Sequence, residues 1–299
     1  MNVSARAASI TVTFHPRLNV LERQLRAVEA AAVRIVVDNG SAANERRALR
    51  TLLAEFEHVQ LIENDHNRGL AAAINQGANA PAARDCEYLL FLDQDTEPES
   101  DALMALLTAH QRLERQQARP GIVGPRLIDA RTGTQHGFHV LQGWRWRRVV
   151  PPLGTVAPVF CANLNCSGSL IRADLFSALG GMNEAFFMDH LDTDLSFRVL
   201  ASGHTLCGIP EASVRHRMGE HTLRYWLFGW RLWPYRMPKR HYYLFRNAIW
   251  LMRRKSVPRP WKLFACIKLA FTLLVHFALD VRRREQLYQM LRGLRDGIR

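Results

Sequence analysis

Two carboxylates one residue apart, Asp93 and Asp95, come directly after the apolar run Leu89 to Leu92. Such a run is typical of a strand buried on both faces, as in a parallel sheet covered by helices. Residues two apart in extended chain point to the same side, so both carboxylates would leave the carboxyl end of the strand together. Ligands of open α/β sheets bind beyond those ends. Two oxygen ligands there suit Mg²⁺ or Mn²⁺ and a substrate phosphate; the alternative is a polar turn that caps the next helix.

A second group of acids, Asp189, Asp192 and Asp194, lies further along the chain. Asp192 stands where the sequence predicts a helix to begin, and Asp194 falls in its first turn. Acids in a first turn ordinarily complement the helix dipole, and we assign that structural role to Asp194. A final predicted strand, 212–216, ends at His216, and a lone histidine after a strand is more often structural.

The elements that position these acids alternate between strands and helices. Strands are predicted at 10–14, 34–38, 58–62 and 89–95, with helices between them that start at Asn19, include 49–56 and cover 67–77. This alternation predicts an α/β fold with a doubly wound, mostly parallel sheet flanked by helices. The turn after the first strand, Phe14-His15-Pro16, is not the glycine-rich loop of dinucleotide-binding folds, and no Walker lysine loop occurs. Bound phosphates would therefore be held by a metal and by side chains.

The elements that follow are predicted from shorter patterns. A helix capped by Ser100 precedes a strand at 121–128, and a strand at 167–172 precedes a short helix capped by Asp174. Residues 131–160 are predicted to form an irregular loop over the site, of the type that orders when a ligand binds. A partly buried aromatic turn is the alternative for this segment.

The residues that could do chemistry also occur in the order and spacing of a known family: Thr13, Asp38 to Ser41, Asn67 to Gly77, Phe91 to Asp95, Asp189 to Asp194, and His216. Over roughly residues 9 to 220 the chain thereby resembles a family 2 glycosyltransferase of the GT-A fold. Within that family, segments 90–96 and 187–193 resemble the rhamnosyltransferase subgroup. That subgroup continues with Glu-Trp, where this chain has Asp194-Leu195.

The resemblance implies a donor site and a metal site. Asp38 would accept the N3–H of a uracil or thymine ring, which selects a pyrimidine nucleotide-sugar. The implied donor-binding residues are Thr13, Asp38, Arg68, Asp93, Gln94 and Asp189, and the implied ligands of Mg²⁺ or Mn²⁺ are Asp95, Asp93 and His216. The metal would neutralise the charge that grows on the leaving nucleoside diphosphate.

The resemblance also implies the reaction. Asp192 would be the general base that withdraws the proton of an attacking sugar hydroxyl, in a single displacement with inversion at the anomeric carbon. Asp189 would hydrogen-bond the acceptor or the donor sugar. The subgroup implies dTDP-L-rhamnose as the donor, a lipid-linked oligosaccharide as the acceptor and a role in O-antigen-like surface polysaccharide synthesis. Another UDP- or dTDP-sugar is the alternative donor.

The charge of the chain is concentrated in its C-terminal part. The net charge is +13, but residues 1–214 carry 20 Lys and Arg against 23 Asp and Glu, a net of −3, and residues 215–299 carry 20 against 4, a net of +16. This distribution argues against a nucleic-acid surface along the whole chain and predicts a tail that meets an anionic partner. We therefore predict a catalytic domain over 1–220 and a basic, aromatic-rich helical extension over 221–299. A basic nucleic-acid-binding protein remains the alternative from a different class.

The apolar segment 261–279 predicts a helix in the membrane interface. Lys262 and Lys268 interrupt it, and the charge-free remainder, 269–279, is too short to cross a bilayer. Lys268, Thr272, His276, Asp280 and Arg283 or Arg284 fall on one helical stripe, opposite Leu and Phe residues. That layout is typical of a helix lying on a membrane, where adjacent arginines attract anionic lipid. The alternative is a helical pair packed on the catalytic domain with a solvated basic face.

The cysteines and the N-terminus indicate the compartment. The chain has five cysteines with no Cys-x-x-Cys pair, which is typical of reduced thiols in a cytoplasmic protein. The first eight residues contain no long apolar run, so no secretory signal is expected. We predict a cytoplasmic enzyme, peripheral on the cytoplasmic face of the inner membrane.

Overall fold

A computed structural model describes residues 6–216, 222–226 and 230–299 of the chain. The strands are β1 (Ala7–Thr13), β2 (Val33–Asp38), β3 (Val59–Glu63), β4 (Tyr88–Asp93), β5 (Thr96–Pro98), β6 (Pro120–Asp129), β7 (Gln135–His136), β8 (Phe138–Gln142), β9 (Arg145–Val149), β10 (Val159–Cys161), β11 (Leu170–Arg172), β12 (Thr205–His216), β13 (Thr222–Trp226) and β14 (Trp230–Pro234). The α-helices are α1 (Leu18–Ala27), α2 (Ala43–Leu53), α3 (Leu70–Ala78), α4 (Ala102–Arg115), α5 (Ala173–Ala178), α6 (Leu191–Ala201), α7 (Pro238–Arg253), α8 (Arg259–Leu279) and α9 (Arg283–Ile298).

The main sheet has the strand order β10-β12-β6-β11-β4-β1-β2-β3. Strands β3, β2, β1 and β4 are mutually parallel, and β12 is parallel to β6. Only β11, β10 and the short β5 and β7 run antiparallel to their neighbours within the described part of this sheet. The predicted doubly wound, mostly parallel sheet is therefore confirmed.

Helices cover both faces of this sheet. Leu21 and Leu25 of α1 and Leu49 of α2 pack with Val36 of β2 in one buried cluster. A second cluster on the same face joins α4 to Leu90 of β4. The opposite face is covered by α3, whose Gly77 lies against Ile10 of β1. Five of the six residues of β4 are buried, as expected for a strand covered on both sides.

Helix α3 lies unusually close to β1. A Cβ atom on Gly77 would stand only 2.6 Å from Cγ2 of Ile10, so a larger residue there would push the helix away from the sheet. Gly77 thus allows the C-terminal part of α3 to pack closely against β1.

Two sets of sequence expectations need correction. The segment 131–160 is not irregular, because β7, β8, β9 and β10 lie within it, and β8 pairs with β9 as a two-stranded hairpin. Phe138 and Val140 alternate inward on β8, a pattern of period two that glycines and arginines on either side obscure. The helix caps also differ: Arg17, Asp101 and Arg172 occupy the N-cap positions instead of Asn19, Ser100 and Asp174.

The chain divides into two compact units. The first comprises Met1–Val140, Arg148–Phe187 and Leu191–His216, and contains the main sheet. The second comprises Leu141–Arg147, Met188–His190 and Arg217–Arg299. The domain boundary expected at 220/221 falls within residues 217–221, which lie outside the described ranges, as do residues 227–229 of the aromatic, arginine-rich segment.

The second unit is built around its three helices. Leu244, Phe245 and Ala248 of α7 pack with Leu269 of α8 and Met290 of α9 in a buried cluster. Strands β13 and β14 form an antiparallel pair ahead of them. The C-terminal helical extension expected from the sequence is therefore present as α7 to α9.

Helix α8 is longer and oriented differently from what the sequence suggested. Its 21 residues have a mean hydropathy of 1.8 in the most apolar window, enough by length and composition to cross a membrane. A core helix of a soluble protein meets the same two criteria, so the exposure of its faces decides its role. The polar stripe expected to face outward faces inward, since Thr272, His276 and Asp280 are 2%, 0% and 6% exposed.

Candidate active site

Asp93, Asp95 and His216 converge at the carboxyl end of the main sheet. Asp93 is the last residue of β4, Asp95 lies in the turn to β5, and His216 ends β12. Strand β5 pairs with β12 so that Thr96 stands opposite His216, which brings the histidine beside the turn. One ligand atom from each of the three residues lies within 4.8 Å of the others, and Nδ1 of His216 is 3.5 Å from Oδ1 of Asp95.

This set of donors fits a divalent cation. Burial raises the pKa of the Asp95 carboxyl; the neighbouring His216 opposes that shift and Asp93 adds to it. A cation among these groups would relieve the repulsion between the two carboxylates and favour their ionised forms. Two carboxylates and one imidazole are ligands that Mg²⁺ or Mn²⁺ accepts, so the residues present fit the metal that the Asp-x-Asp pattern predicts.

The turn that carries Asp95 is held from beneath by Gln24 of α1. The side chain of Gln24 is fully buried. Its Nε2 donates to the carbonyl oxygens of Asp93 and Thr96, at 2.7 and 2.5 Å, and its Oε1 accepts from Oγ1 of Thr11 at 2.8 Å. Both ends of the Asp93–Thr96 turn are thus fixed to one side chain. The role of Gln24 is not evident from the sequence, because a glutamine within an amphipathic helix gives no signal of burial.

A second set of hydrogen bonds orients the histidine. Nδ1 of His216 lies 3.0 Å from the hydroxyl of Thr96, which is also hydrogen-bonded to the hydroxyl of Ser167. Thr96 and Ser167 are both buried. Partners of this kind fix the ring orientation of a metal-binding histidine. The sequence offered Thr96 only as part of a family pattern and did not connect it with Ser167.

The nucleotide end of the site is built from the neighbouring strand ends. Thr13 and Asp38 stand opposite each other in the β1–β2 register, and both are fully buried. Oδ1 of Asp38 accepts from the hydroxyls of Thr13, at 3.1 Å, and Ser41, at 2.5 Å, and Oδ2 accepts from the Ser41 amide at 3.0 Å. These bonds fix the carboxylate at the sheet edge where a base-selecting residue was expected.

Arg68 and Gln94 each take part in a hydrogen bond that involves a backbone amide. The backbone amide of Arg68 donates to Oδ1 of Asn39 at 3.0 Å, while its side chain is exposed. Oε1 of Gln94 accepts from the backbone amide of Phe14 at 2.7 Å, so Gln94 links the end of β4 to the end of β1. A donor-binding role for these two side chains stays a prediction.

Asp192 lies in the first turn of α6. The backbone amide of Thr193 donates to Oδ1 of Asp192 at 2.7 Å. Burial, with the nearby carboxylates of Asp192 and Asp93, raises the pKa of the Cys166 thiol well above its usual value. Asp192 also lines a narrow crevice with Phe91 and Cys166. Asp93 and Asp192 thus both lie near Cys166, and the role of Asp192 as a base stays a prediction.

Asp194 makes a different contact. Its Oδ2 accepts from Nε of Arg198, one turn later on α6, at 2.8 Å, and its side chain is 1% exposed. Arg198 in turn donates to the carbonyl of Leu179 at 2.8 Å. Asp194 thus secures α6, which agrees with the structural role assigned to it.

Asp189 belongs to the second compact unit. Its carboxylate is paired with Nε of Arg240 at 3.0 Å. Burial alone would raise the pKa of Asp189, but Arg240 and Arg236 hold it below its usual value. The carbonyl of Asp189 accepts from Nδ2 of Asn247 at 2.9 Å. Its expected contact with a sugar stays a prediction.

The loop ahead of α6 is tied to α3 in a conformation that glycine permits. The carbonyl of Phe187 accepts from the amide of Leu70 at 2.6 Å. Gly69 has a φ of +88°, and a Cβ there would stand 2.6 Å from the Phe187 ring. A side chain at position 69 would therefore be strained by both backbone conformation and lack of space.

A mostly parallel sheet with an Asp-Asp-His cluster beyond its carboxyl ends defines a nucleotide-sugar glycosyltransferase of the GT-A type. The solved structures that it resembles agree on the fold: GalNAc-T7 with UDP, GalNAc and Mn²⁺, at a TM-score of 0.59 and 15% identity over 93% of this chain and 59% of that chain; and Staphylococcus aureus TarS 1–349, at 0.55 and 15% over 98% and 80%. The sequence model of Glycosyl transferase family 2 matches residues 9–161. The chain belongs to that family, and it is a glycosyltransferase.

Two curated relatives are similar along most of the chain. The dTDP-rhamnosyl transferase RfbF of Shigella flexneri is 26% identical over 97% of this chain and 95% of its own length. The N-acetylglucosaminyl-diphospho-decaprenol L-rhamnosyltransferase of Mycobacterium tuberculosis (strain ATCC 25618 / H37Rv) is 26% identical over 72% of this chain and 77% of its own length. The family and subgroup suggested by the sequence motifs are confirmed by these relatives.

Proposed function

We propose that this chain is an inverting rhamnosyltransferase that moves L-rhamnose from dTDP-L-rhamnose to a lipid-linked glycan acceptor in O-antigen-like surface polysaccharide synthesis. The observation that carries the proposal is the convergence of Asp93, Asp95 and His216 at the strand ends, with Asp192 close by. The two relatives support rhamnose as the transferred sugar, because one is a dTDP-rhamnosyl transferase and the other an L-rhamnosyltransferase.

The donor would lie along the carboxyl ends of β1, β2 and β4. Asp38 would accept the N3–H of the pyrimidine ring and Thr13 would hold that carboxylate in place, as it does in the structure. Asp93, Asp95 and His216 would hold Mg²⁺ or Mn²⁺, which would neutralise charge on the leaving dTDP. Arg68 and Gln94 complete the donor-binding set, and Asp189 is assigned to the sugar.

Asp192 would act as the general base. A sugar hydroxyl is a poor nucleophile until its proton is drawn off, and a positioned base contributes roughly 10²–10⁴ in rate. The amide of Thr193 fixes the Asp192 carboxylate at the N-terminus of α6. A base fixed in this way, opposite a donor held by the metal cluster, would give attack from the face away from dTDP, and hence inversion.

A lipid-linked acceptor would require the enzyme to work at a membrane. The name of the mycobacterial relative specifies a decaprenol-linked acceptor, which resides in a bilayer. With residues 1–220 as the catalytic domain and 221–299 as a basic extension, we place the protein in the cytoplasm, peripheral on the inner membrane and attracted to its anionic lipids. Nucleic acid is not part of this proposal.

A donor panel tests the proposal. Purified full chain is incubated with dTDP-L-rhamnose, UDP-glucose and UDP-GlcNAc, with Mn²⁺, with Mg²⁺ or with EDTA, and release of nucleoside diphosphate is measured. We expect release from dTDP-L-rhamnose with either metal, none with EDTA, and none from the Asp95→Asn variant. Release from a UDP-sugar alone would show that the donor is not dTDP-L-rhamnose. Equal release with EDTA would show that the reaction does not require the metal.

The nucleic-acid alternative is tested separately. Gel shifts with single-stranded RNA and DNA should show no specific binding at low or at high salt. Tight, salt-sensitive binding that is unchanged in Asp93→Asn and Asp95→Asn would favour the alternative.

A further inference from the structure

We propose that α8 enters the membrane with its outward apolar face while lying parallel to the bilayer plane. This inference rests on the membrane association proposed above and identifies the surface of the protein that contacts the membrane. The stripe that the sequence predicted to meet the membrane does not make this contact, because its residues Thr272, His276 and Asp280 are buried inside the protein.

The outward face of α8 is apolar along its whole length. Leu263, Ile267, Leu274 and Phe277 are 62%, 61%, 60% and 54% exposed, and they recur at the spacing of one helical face. Ala270 lies between them on the same face and is also exposed. Large exposed apolar surfaces of this kind mark membrane or protein contacts, because water does not favour them.

The opposite face is buried and carries polar groups as well as apolar ones. Nδ1 of His276 lies 2.9 Å from Oδ2 of Asp280, which also accepts from Nε2 of Gln286 at 2.8 Å. Oε1 of Gln286 lies 2.6 Å from Nδ1 of His241 on α7. These groups satisfy one another inside the unit formed by α7, α8 and α9. Helix α8 therefore departs from the usual surface helix, because it buries Thr272 and His276 while large apolar side chains face outward.

The buried network decides between crossing the membrane and lying on it. Crossing would expose His276 and Asp280 to hydrocarbon, or would require α7 and α9 to enter the bilayer with their charged residues. Lying in the plane exposes only the apolar face to lipid and leaves the network intact. A helix that packs on a folded unit by one face and presents hydrocarbon on the other fits the second arrangement.

The residues around α8 fit the lipid headgroups. Arg259 and Lys262 lie in its first turn, and Arg282 to Arg284 follow its end. The ring of Trp146, in the hairpin tip that belongs to the same unit, lies 6.3 Å from that of Phe264. Trp144, two residues away, is 71% exposed. Tryptophan and arginine flanking an apolar surface are typical of the interface between headgroups and acyl chains. This charge complementarity favours a bilayer over a second copy of the basic chain.

Cys266 provides a native probe of this surface. All five cysteines fall within the described residues; Cys266 is exposed on α8, while the others are buried or half-buried. The full chain is labelled at Cys266 with the environment-sensitive dye NBD and mixed with vesicles of phosphatidylcholine and phosphatidylglycerol. We expect a blue shift and at least a threefold rise in emission, quenched by lipids with a nitroxide on the acyl chain. The same dye at Glu29→Cys in a Cys266→Ser background, on an exposed residue of the first unit, should not respond.

Flotation with the same vesicles measures the contribution of the face. The triple variant Ile267→Ser, Leu274→Ser, Phe277→Ser should float at least tenfold less than the original chain. A matched triple variant, Val150→Ser, Leu153→Ser, Val156→Ser, removes three equally exposed apolar residues elsewhere and should float normally. Loss in both variants would overturn the assignment of the contact to α8.

Two further outcomes would overturn the proposal. If the dye responds to protein concentration without vesicles, and the chain sediments as a dimer, the face binds a second copy. If the dye remains in water on vesicles, the face does not enter lipid. Release of dTDP from the donor in detergent-free buffer should be unchanged in the α8 triple variant, so a failure of membrane insertion is distinguishable from a failure of the proposed glycosyl transfer.

Discussion

Nε2 of Gln24 lies 2.7 Å from the carbonyl oxygen of Asp93 and so ties helix α1 to the turn that carries the metal ligands. The same nitrogen reaches the carbonyl of Thr96 at 2.5 Å, and Oε1 reaches Thr11 on β1 at 2.8 Å. One buried amide thus spans the sheet and the turn. The position of Asp95 relative to His216 depends on this amide as well as on the strand pairing.

Replacement of Gln24 with Leu should weaken metal binding. Leucine fills similar volume but leaves the two carbonyls without their donor, so the turn loses its fixed geometry. We expect a loss of about 10–100-fold in Mn²⁺ affinity, the range typical of residues that orient metal ligands. Electron paramagnetic resonance of free Mn²⁺ measures this directly. Gln60→Leu on the distant strand β3 is the control, and equal affinities in the two variants would refute the role of Gln24.

Metal binding should stabilise the fold. A ligand at about 100 times its dissociation constant adds about 2.7 kcal/mol to the free energy of unfolding when it binds only the folded state. Thermal unfolding with Mn²⁺ and with EDTA should differ accordingly in the original chain and agree in Asp95→Asn. A Mn²⁺-dependent shift that survives in Asp95→Asn would mean that the ion binds elsewhere.

Asp192→Asn should abolish transfer without abolishing donor binding. The amide cannot take the acceptor's proton, so kcat should fall by roughly 10²–10⁴. Calorimetry with dTDP and Mn²⁺ should give nearly the original dissociation constant, since Asp192 does not contact the diphosphate in this mechanism.

Asp194→Asn on the same helix turn is the matched control for Asp192. It breaks the ion pair with Arg198, so the free energy of unfolding should drop while kcat changes little in the fraction that stays folded. Equal losses of turnover in the two variants would remove Asp192 from the role of base.

Acid should destabilise the protein through buried histidines. Burial, together with the nearby Arg172, lowers the pKa of His110 to about 4, and burial likewise lowers those of His190 and His241 to about 4. In the unfolded chain these groups titrate near about 6.5. Their contribution to stability is therefore complete above that pH and is lost as the pH falls towards 4, by up to about 1.4 kcal/mol per pH unit for each histidine.

Urea unfolding at pH 7, 6 and 5 measures this effect. His110→Leu removes one of the three groups and should make the decline shallower between pH 6 and 5. An unchanged slope in His110→Leu would show that His110 is protonated in the folded protein.

The sequence specified the sheet and the strand ends because both follow from local patterns. The apolar run before Asp93 predicts a strand buried on both faces, and parallel strands place their carboxyl ends at one edge. The location of Asp93 and Asp38 at the same edge of the sheet follows from those two rules. His216 could be assigned to the same edge only through the family resemblance, since a histidine after a strand has no distinguishing pattern.

Other features depend on tertiary contacts that no local pattern contains. Gln24 and a surface glutamine look alike in sequence, because burial depends on the partners Thr11 and Asp93. The sequence distinguishes a polar stripe and an apolar stripe on α8, but it does not predict which of the two packs inward. Partners on α7 and α9, His241 and Gln286, decide that orientation.

The pairing of Thr96 with His216 has a consequence for synthesis on the ribosome. These residues are 120 positions apart, and the β5–β12 ladder joins them. A nascent chain that has exposed the whole Asp-x-Asp turn still lacks His216 until β12 of the main sheet leaves the exit tunnel. Binding of Mn²⁺ should therefore begin only when synthesis of the first unit is complete. Stalled chains that end before residue 216 should fail to retain manganese.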